Sequence, residues 1–232
     1  MTYSLKKINS AFKDLMDDKD GSTFLDYLSL KSIGYSRRYE TPIMPLNQAD
    51  YFSPIYILYK VVGGRSVPIM TQRYVSRRAC LGYNLVFPIE GLVLESKCKE
   101  SICVYNDFIS GLELNRGDVI YPGSFTTNPN LSYSEAEKKL FVELTCAFHF
   151  VENLRSPDCS FVTTSVKRFK TYKVLEKAGH KLLNGLNAFR KESFYGEEVL
   201  LMGTDSLSSL CKENFYKHED LFNEKAVEKL VA

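Results

Sequence analysis

Tryptophan is absent from this 232-residue chain, and histidine occurs only three times, at 149, 180 and 218. Histidines so far apart supply no ligand cluster, so no metal site is expected. The six cysteines, at 80, 98, 103, 146, 159 and 211, form no C-x-x-C pair. The first residues contain no apolar signal core, and free thiols in a reducing cytoplasm are the expectation. No apolar run reaches the ~20 residues of a membrane helix. A net charge of +2 gives no global field for nucleic acid, and no aromatic-rich basic motif of the RNA-binding kind occurs. The G-x-S-x-G elbow, the Walker loop and G-x-G-x-x-G are all missing, so hydrolase, NTPase and dinucleotide readings lose their usual support.

What is there suits an ordinary globular protein: 44% hydrophobic and 25% charged residues, with 15 Phe and 15 Tyr for a core and an apolar pocket. The length fits one large α/β domain, with N-terminal helices and a closing loop over 1–50, a sheet core over 51–203 and C-terminal helices over 204–232. Residues 5–18 and 22–33 read as helices. Residues 54–62 and 66–77 flank Gly63-Gly64 and read as a hairpin, with Arg73 late in its second strand. Apolar runs at 92–94, 102–105 and 119–121 read as strands. Over 134–154 a capping box, Ser134-Glu135-Ala136-Glu137, precedes an apolar stripe at steps of three and four, which predicts a helix. A buried strand is expected at 159–166, a helix at 167–179 ending on Gly179, strands near 186–190 and 197–203, and helices near 205–212 and 218–231.

Two acid–arginine pairs, Asp50 with Arg73 and Glu113 with Arg116, fall at the ends of predicted strands. Such pairs are what a cleft needs to hold a zwitterionic amino acid, because a carboxylate and a guanidinium recognise opposite ends of it. A basic stretch from 167 to 191 contains Lys167, Arg168, Lys170, Lys173 and Lys177 with the single acid Glu176. It is either a solvated helix face or a docking patch for an acidic partner.

Several short motifs carry a family resemblance. D-x-x-S-P-x-Y (Asp50, Ser53, Pro54, Tyr56), an arginine late in the next strand (Arg73), F-P (Phe87, Pro88) and E-L-x-R (Glu113, Arg116) occur in an order and spacing that resemble the acyl-homoserine-lactone synthases of bacterial quorum sensing. The divergent LuxM/AinS type is one possible branch. The segment Phe161–Val166 and the basic residues after it resemble the second half of an N-acyltransferase (GNAT-like) fold. The resemblance implies an α/β GNAT-like three-layer αβα sandwich around a mixed, twisted sheet. It also implies acyl transfer from acyl carrier protein (ACP) or acyl-CoA to the amine of S-adenosylmethionine (SAM), followed by lactonisation. SAM is a substrate in this reaction, and no cofactor is implied.

On the same footing, Asp50, Arg73, Glu113 and Arg116 match the family's polar cluster, with Glu113 as the group that takes the amine proton. Asn47, Ser53, Tyr56 and Phe87 stand at supporting positions, and Asn47 replaces the family's usual Asp. Thr163 and Thr164 fall near the acyl-chain oxygen, and Phe125 and Phe148 are candidates to line the acyl tunnel. Oxyanion-stabilising amides are expected at a bulge near 118–122. The family's N-terminal Arg/Phe/Trp pattern has no clear counterpart; Lys31 with Tyr35, and Arg37 or Arg38, are the candidate substitutes. Another N-acyltransferase of this fold, or a non-catalytic acyl- or ACP-binding module, is the alternative.

Overall fold

Gly63 and Gly64 both take positive φ, at 57° and 78°, and this turn joins strands β2 (Ile55–Val62) and β3 (Arg65–Ser76) in antiparallel register, Val62 against Arg65 and Ile55 against Arg73. The primed turn matches the twist of the strands it connects, and glycine adopts it without steric cost. The register shifts between Leu58 and Tyr59, which face Met70 and Pro68. Pro68 has no N–H to give to the ladder, and the carbonyl of Ile69 is taken instead by the Asn128 amide and the Tyr133 hydroxyl.

The structure is a computed structural model that describes residues 2–16, 21–40, 46–113, 117–183, 189–191 and 196–222. It divides into two compact units. The first comprises Met1–Val75, Gly123–Phe141 and His218–Ala232, and the second Ser76–Pro122 and Val142–Lys217.

In the first unit, β1 (Tyr3–Ile8) pairs antiparallel with β2, from Tyr3 against Lys60 to Ile8 against Ile55. Here the expected helix over 5–18 is replaced by a strand followed by a short helix, α1 (Ala11–Met16). Burial alternates with period two from Tyr3 to Lys7, before Ile8 is buried, so pairing with β2 overrides a local spacing that fits a helix. Helix α2 (Ser22–Tyr39) buries Phe24, Tyr27, Leu30, Lys31 and Gly34, one stripe at helical spacing. A Cβ on Gly34 would lie 2.0 Å from Thr126 Oγ1, so the missing side chain is what lets this helix approach its neighbour.

In the second unit the two strands expected at 92–94 and 102–105 are helices. α3 (Arg77–Gly82) is N-capped by Ser76, α4 (Pro88–Glu95) starts with proline at its first turn, and α5 (Lys99–Glu113) follows. Proline is preorganised for that first turn, and the buried Ile89/Val93 and Tyr105/Ile109/Leu112 recur at three and four.

Strand β4 (Val119–Thr127) contributes residues to both units. Its start runs parallel to β5 (Ser160–Val166), with Val119 against Ser160 and Ile120 against Phe161. The parallel step requires a long crossover, which is supplied by α6 (Glu135–Arg155). The predicted capping box is present: the Glu137 amide bonds Ser134 Oγ and the Glu137 carboxylate accepts from the Ser134 amide.

The helix expected over 167–179 is a tight turn, Lys167–Phe169, and then α7 (Tyr172–Ala178), because Lys170 takes φ 57° between them. Leu175 and Ala178 are buried, whereas Phe169 and Tyr172 are half-buried. β6 (Lys181–Leu182), β7 (Phe189–Lys191) and β8 (Glu197–Thr204) follow, and β8 pairs antiparallel with β5, β6 and β7. Helix α8 (Ser209–Lys217) starts later than expected, and most of the expected C-terminal helix lies outside the described residues. No described helix is long and apolar enough to cross a membrane.

Candidate functional site

Three elements of the first unit converge on Asp50. Gln48–Tyr51 forms a single tight turn in which the Asp50 carboxylate reaches back to the Asn47 amide at 2.8 Å. From α2, Tyr27 and Lys31 stand one turn apart on the buried stripe. The Tyr27 hydroxyl donates to Asp50 Oδ1 at 2.5 Å, and Lys31 Nζ donates to Oδ1 and Oδ2 at 3.0 and 2.9 Å. From β3, Arg73 Nη1 donates to Asp50 Oδ1 at 2.5 Å and to Asn47 Oδ1 at 3.0 Å. Asn47 thus supplies the guanidinium with an acceptor oxygen as an aspartate would, but without charge.

Asp50 is 0% exposed, Arg73 3% and Lys31 4%. Burial alone pushes a carboxylic acid toward its neutral form. At Asp50 the Arg73 guanidinium and the Lys31 ammonium outweigh burial, and its pKa lies below the ordinary value. Lys31 moves the other way: burial and the neighbouring Arg73 outweigh the attraction of Asp50 and bring its pKa down to about 8. Burial raises Tyr27 well above its usual value, so its hydroxyl is neutral and donates.

Ser124 of β4 lies near enough to Tyr27 to lower its hydroxyl slightly, against the larger effect of burial. It also takes φ 55° within the strand. A non-glycine residue there is uncommon and carries strain of order 1–3 kcal/mol, and such residues cluster at functional sites. This positive φ lies outside the 118–122 stretch in which a bulge is expected.

The predicted residues separate clearly. Asn47, Asp50 and Arg73 come together. Ser53 and Tyr56 are buried nearby in sequence, the Tyr56 ring edge-on to Tyr74 and under Lys7 Nζ. Phe125 is half-buried on β4. Arg116 and the side chain of Glu113 lie outside the described residues.

In the second unit, Phe87 is buried before Pro88 and meets Tyr121 edge-on, which is a structural role. Phe148 is buried in α6. Thr163 is buried and its hydroxyl donates to the Pro122 carbonyl at 2.8 Å, while Thr164 is half-buried. Of the basic stretch, Lys167 and Arg168 are tied to Glu198 and Glu197. Lys170, Lys173 and Lys177 are exposed. The two glutamates come from β8, outside the stretch read as nearly free of acids.

Sequence reasoning passed over Tyr27 and Ser124, and left Lys31 as one of several options. The available signal was a charged residue inside the apolar stripe of α2. Tyr35 instead stacks on Tyr39, with ring centroids 6.0 Å apart.

A different buried polar group lies in the second unit. His149 Nδ1 is 2.7 Å from the Thr145 carbonyl, and its Nε2 is 3.2 Å from His180 Nε2. The carbonyl can only accept, so His149 carries its proton on Nδ1 and His180 donates from Nε2. His180 Nδ1 is then an acceptor, buried with no hydrogen-bond partner among the described residues. Burial lowers both histidines, His149 to about 4, and each is neutral at pH 7.

No protein-family model matches the chain, and no curated protein matches its sequence. Solved structures do match. A CoA-dependent acyl-homoserine lactone synthase, BjaI, with SAM and isopentyl-CoA aligns with TM-score 0.55 at 12% identity, covering 93% of this chain and 89% of that one. BjaI with MTA gives 0.54 at the same identity and coverage. ElaA of Escherichia coli gives 0.48 at 8% identity, over 87% of this chain and 99% of that one. At such identities the likeness is one of fold: the chain has the mixed α/β, GNAT-like fold of the N-acyltransferases.

Proposed function

We propose that this protein is an N-acyltransferase of the acyl-homoserine-lactone synthase type. It takes an acyl group from acyl-ACP or acyl-CoA, transfers it to the α-amine of SAM, and closes the lactone with release of methylthioadenosine. The observation that carries this reading is the buried cluster in which Asp50 holds Arg73 and Lys31 within a GNAT-like fold.

The chemistry runs in two steps. The neutral amine attacks the thioester carbonyl, so a C–N bond forms, the C–S bond breaks and the donor leaves as a thiol. Glu113 takes the proton that the amine must lose. Backbone amides beside Ser124 stabilise the oxyanion. The methionyl carboxylate then attacks its own γ-carbon and expels methylthioadenosine, a step governed by how the chain is held folded. Arg73 holds the substrate carboxylate before that step. Asp50, whose oxygens are occupied by Tyr27, Lys31, Arg73 and the Asn47 amide, orients these cations rather than touching the substrate. Exposed Lys170, Lys173 and Lys177, with the paired Lys167 and Arg168, face the acidic carrier protein or the CoA phosphates.

Asn47 favours a second reading. It supplies no negative charge where a sulfonium ligand gains from one, which suits a plain amino-acid acceptor acylated without lactonisation. One assay separates the readings: pure protein, SAM, amino acids and a panel of acyl-ACP and acyl-CoA thioesters, with thiol, methylthioadenosine and lactone all measured. Thiol together with methylthioadenosine and lactone is the expected result. Thiol together with an N-acyl amino acid but no methylthioadenosine establishes the plain acyltransferase, and no thiol with any donor leaves a binding module.

A further inference from the structure

Lys31 has no task in the chemistry above, yet its ammonium is buried against both oxygens of Asp50, at 3.0 and 2.9 Å. Asp50 Oδ1 serves three donors at once: the Tyr27 hydroxyl, Lys31 Nζ and Arg73 Nη1. Two cations therefore draw on one carboxylate. The pull of Asp50 on the guanidinium depends on whether the ammonium is there to share it.

We infer that Lys31 is a positioning residue for the acceptor's carboxylate: by occupying Asp50 it leaves the charge of Arg73 available to an incoming anion. When Lys31 is neutral, Asp50 turns its whole charge on Arg73, and the acceptor is held less tightly. This rests on the acceptor site proposed above. The groups that face Lys31 are Tyr27 from α2, Asp50 from the Gln48–Tyr51 turn and Arg73 from β3. Of these, Tyr27 stays neutral and Arg73 stays charged across the working range, so Lys31, with its pKa near 8, is the group that switches.

The test is the KM for SAM at pH 7, 8 and 9 in wild type, Lys31→Met and Lys31→Arg, with kcat followed in parallel. The acceptor's own amine titrates in this range in all three proteins, so only differences between them count. Lys31→Met should show a KM about tenfold higher at pH 7, the size of one lost charge-assisted contact, and the gap from wild type should close by pH 9. Its kcat should change little, the mark of lost binding rather than lost chemistry. Lys31→Arg should keep the low KM to pH 9. A Lys31→Met KM equal to wild type at every pH overturns the inference, as does a fall in kcat alone.

A second readout does not depend on activity. The side-chain ¹⁵N resonance of Arg73, assigned by its loss in Arg73→Ala, should shift with a midpoint near pH 8 in wild type and stay flat in Lys31→Met. If wild type acylates no acceptor, the proposed reaction falls, and this resonance alone decides whether Lys31 controls Arg73. A flat wild-type resonance rejects it.

Discussion

Asp50 and His149 are equally buried, each at 0% exposure, yet one anchors a cluster of charges and the other a pair of neutral rings. The difference lies in what each element brings. Around Asp50, α2, β3 and the turn before it supply two cations, a hydroxyl and an amide, and together they exceed what burial costs the carboxylate. Around His149 the partners are a carbonyl, another imidazole and the ring of Phe161, 5.1 Å away between centroids. The neighbouring acid Glu152, bound on both oxygens by Arg155, raises His149 less than burial lowers it. Burial is the larger effect at both rings, and the histidines keep their neutral forms. Complete burial therefore does not decide ionisation; the number and sign of converging partners does.

Breaking the charged cluster should cost most. Asp50→Ala leaves Lys31 and Arg73 buried without their anion, and removing one partner of a buried pair costs about 3–5 kcal/mol; urea unfolding measures it. Adding Lys31→Met to that variant should recover part of the loss, since the two sites are in direct contact. Next comes Gly34→Ala, which places a Cβ against Thr126 Oγ1 on the helix that carries Tyr27 and Lys31. Overpacking of this kind costs roughly 1–3 kcal/mol, and the displaced helix should also raise the KM for the acceptor.

The neutral pair predicts acid sensitivity. The pKa of His149 is lowered on folding from 6.5 to about 4, so the unfolded chain binds the proton first. Its contribution is present in full above pH 6.5 and declines as pH falls toward 4. About 2 kcal/mol should be gone by pH 5, with His180 acting in the same direction. A His149→Gln/His180→Leu double variant should lose that slope between pH 7 and 5 in thermal melts. The smallest effect is a control: Ser134→Ala removes the cap of α6 at about 1 kcal/mol and should leave both clusters unchanged.

The hairpin, the position of Arg73 on it and the capped α6 were legible because Gly63-Gly64 and Ser134 with Glu137 act locally. β1 was not, because Leu5 and Ile8 stand three apart, a helical spacing, and only pairing with β2 selects the strand. α4 and α5 were misread because their apolar runs are short, although Pro88 marked a helix start. Asp50 and Arg73 were found as a pair through their motif. Lys31 was hard to single out because hydrophobic patterning treats a lysine within a buried stripe as a break. The contact between His149 and His180 is long-range and leaves no local trace.

The most direct test of the central claim is SAM-dependent thiol release from an acyl thioester, measured side by side in wild type and Arg73→Ala. The account predicts release by wild type only when SAM is present, and a loss of at least a hundredfold in kcat/KM for Arg73→Ala, about 2.7 kcal/mol, in a protein that remains folded. Equal release by the two proteins, or release by wild type that does not depend on SAM, contradicts it.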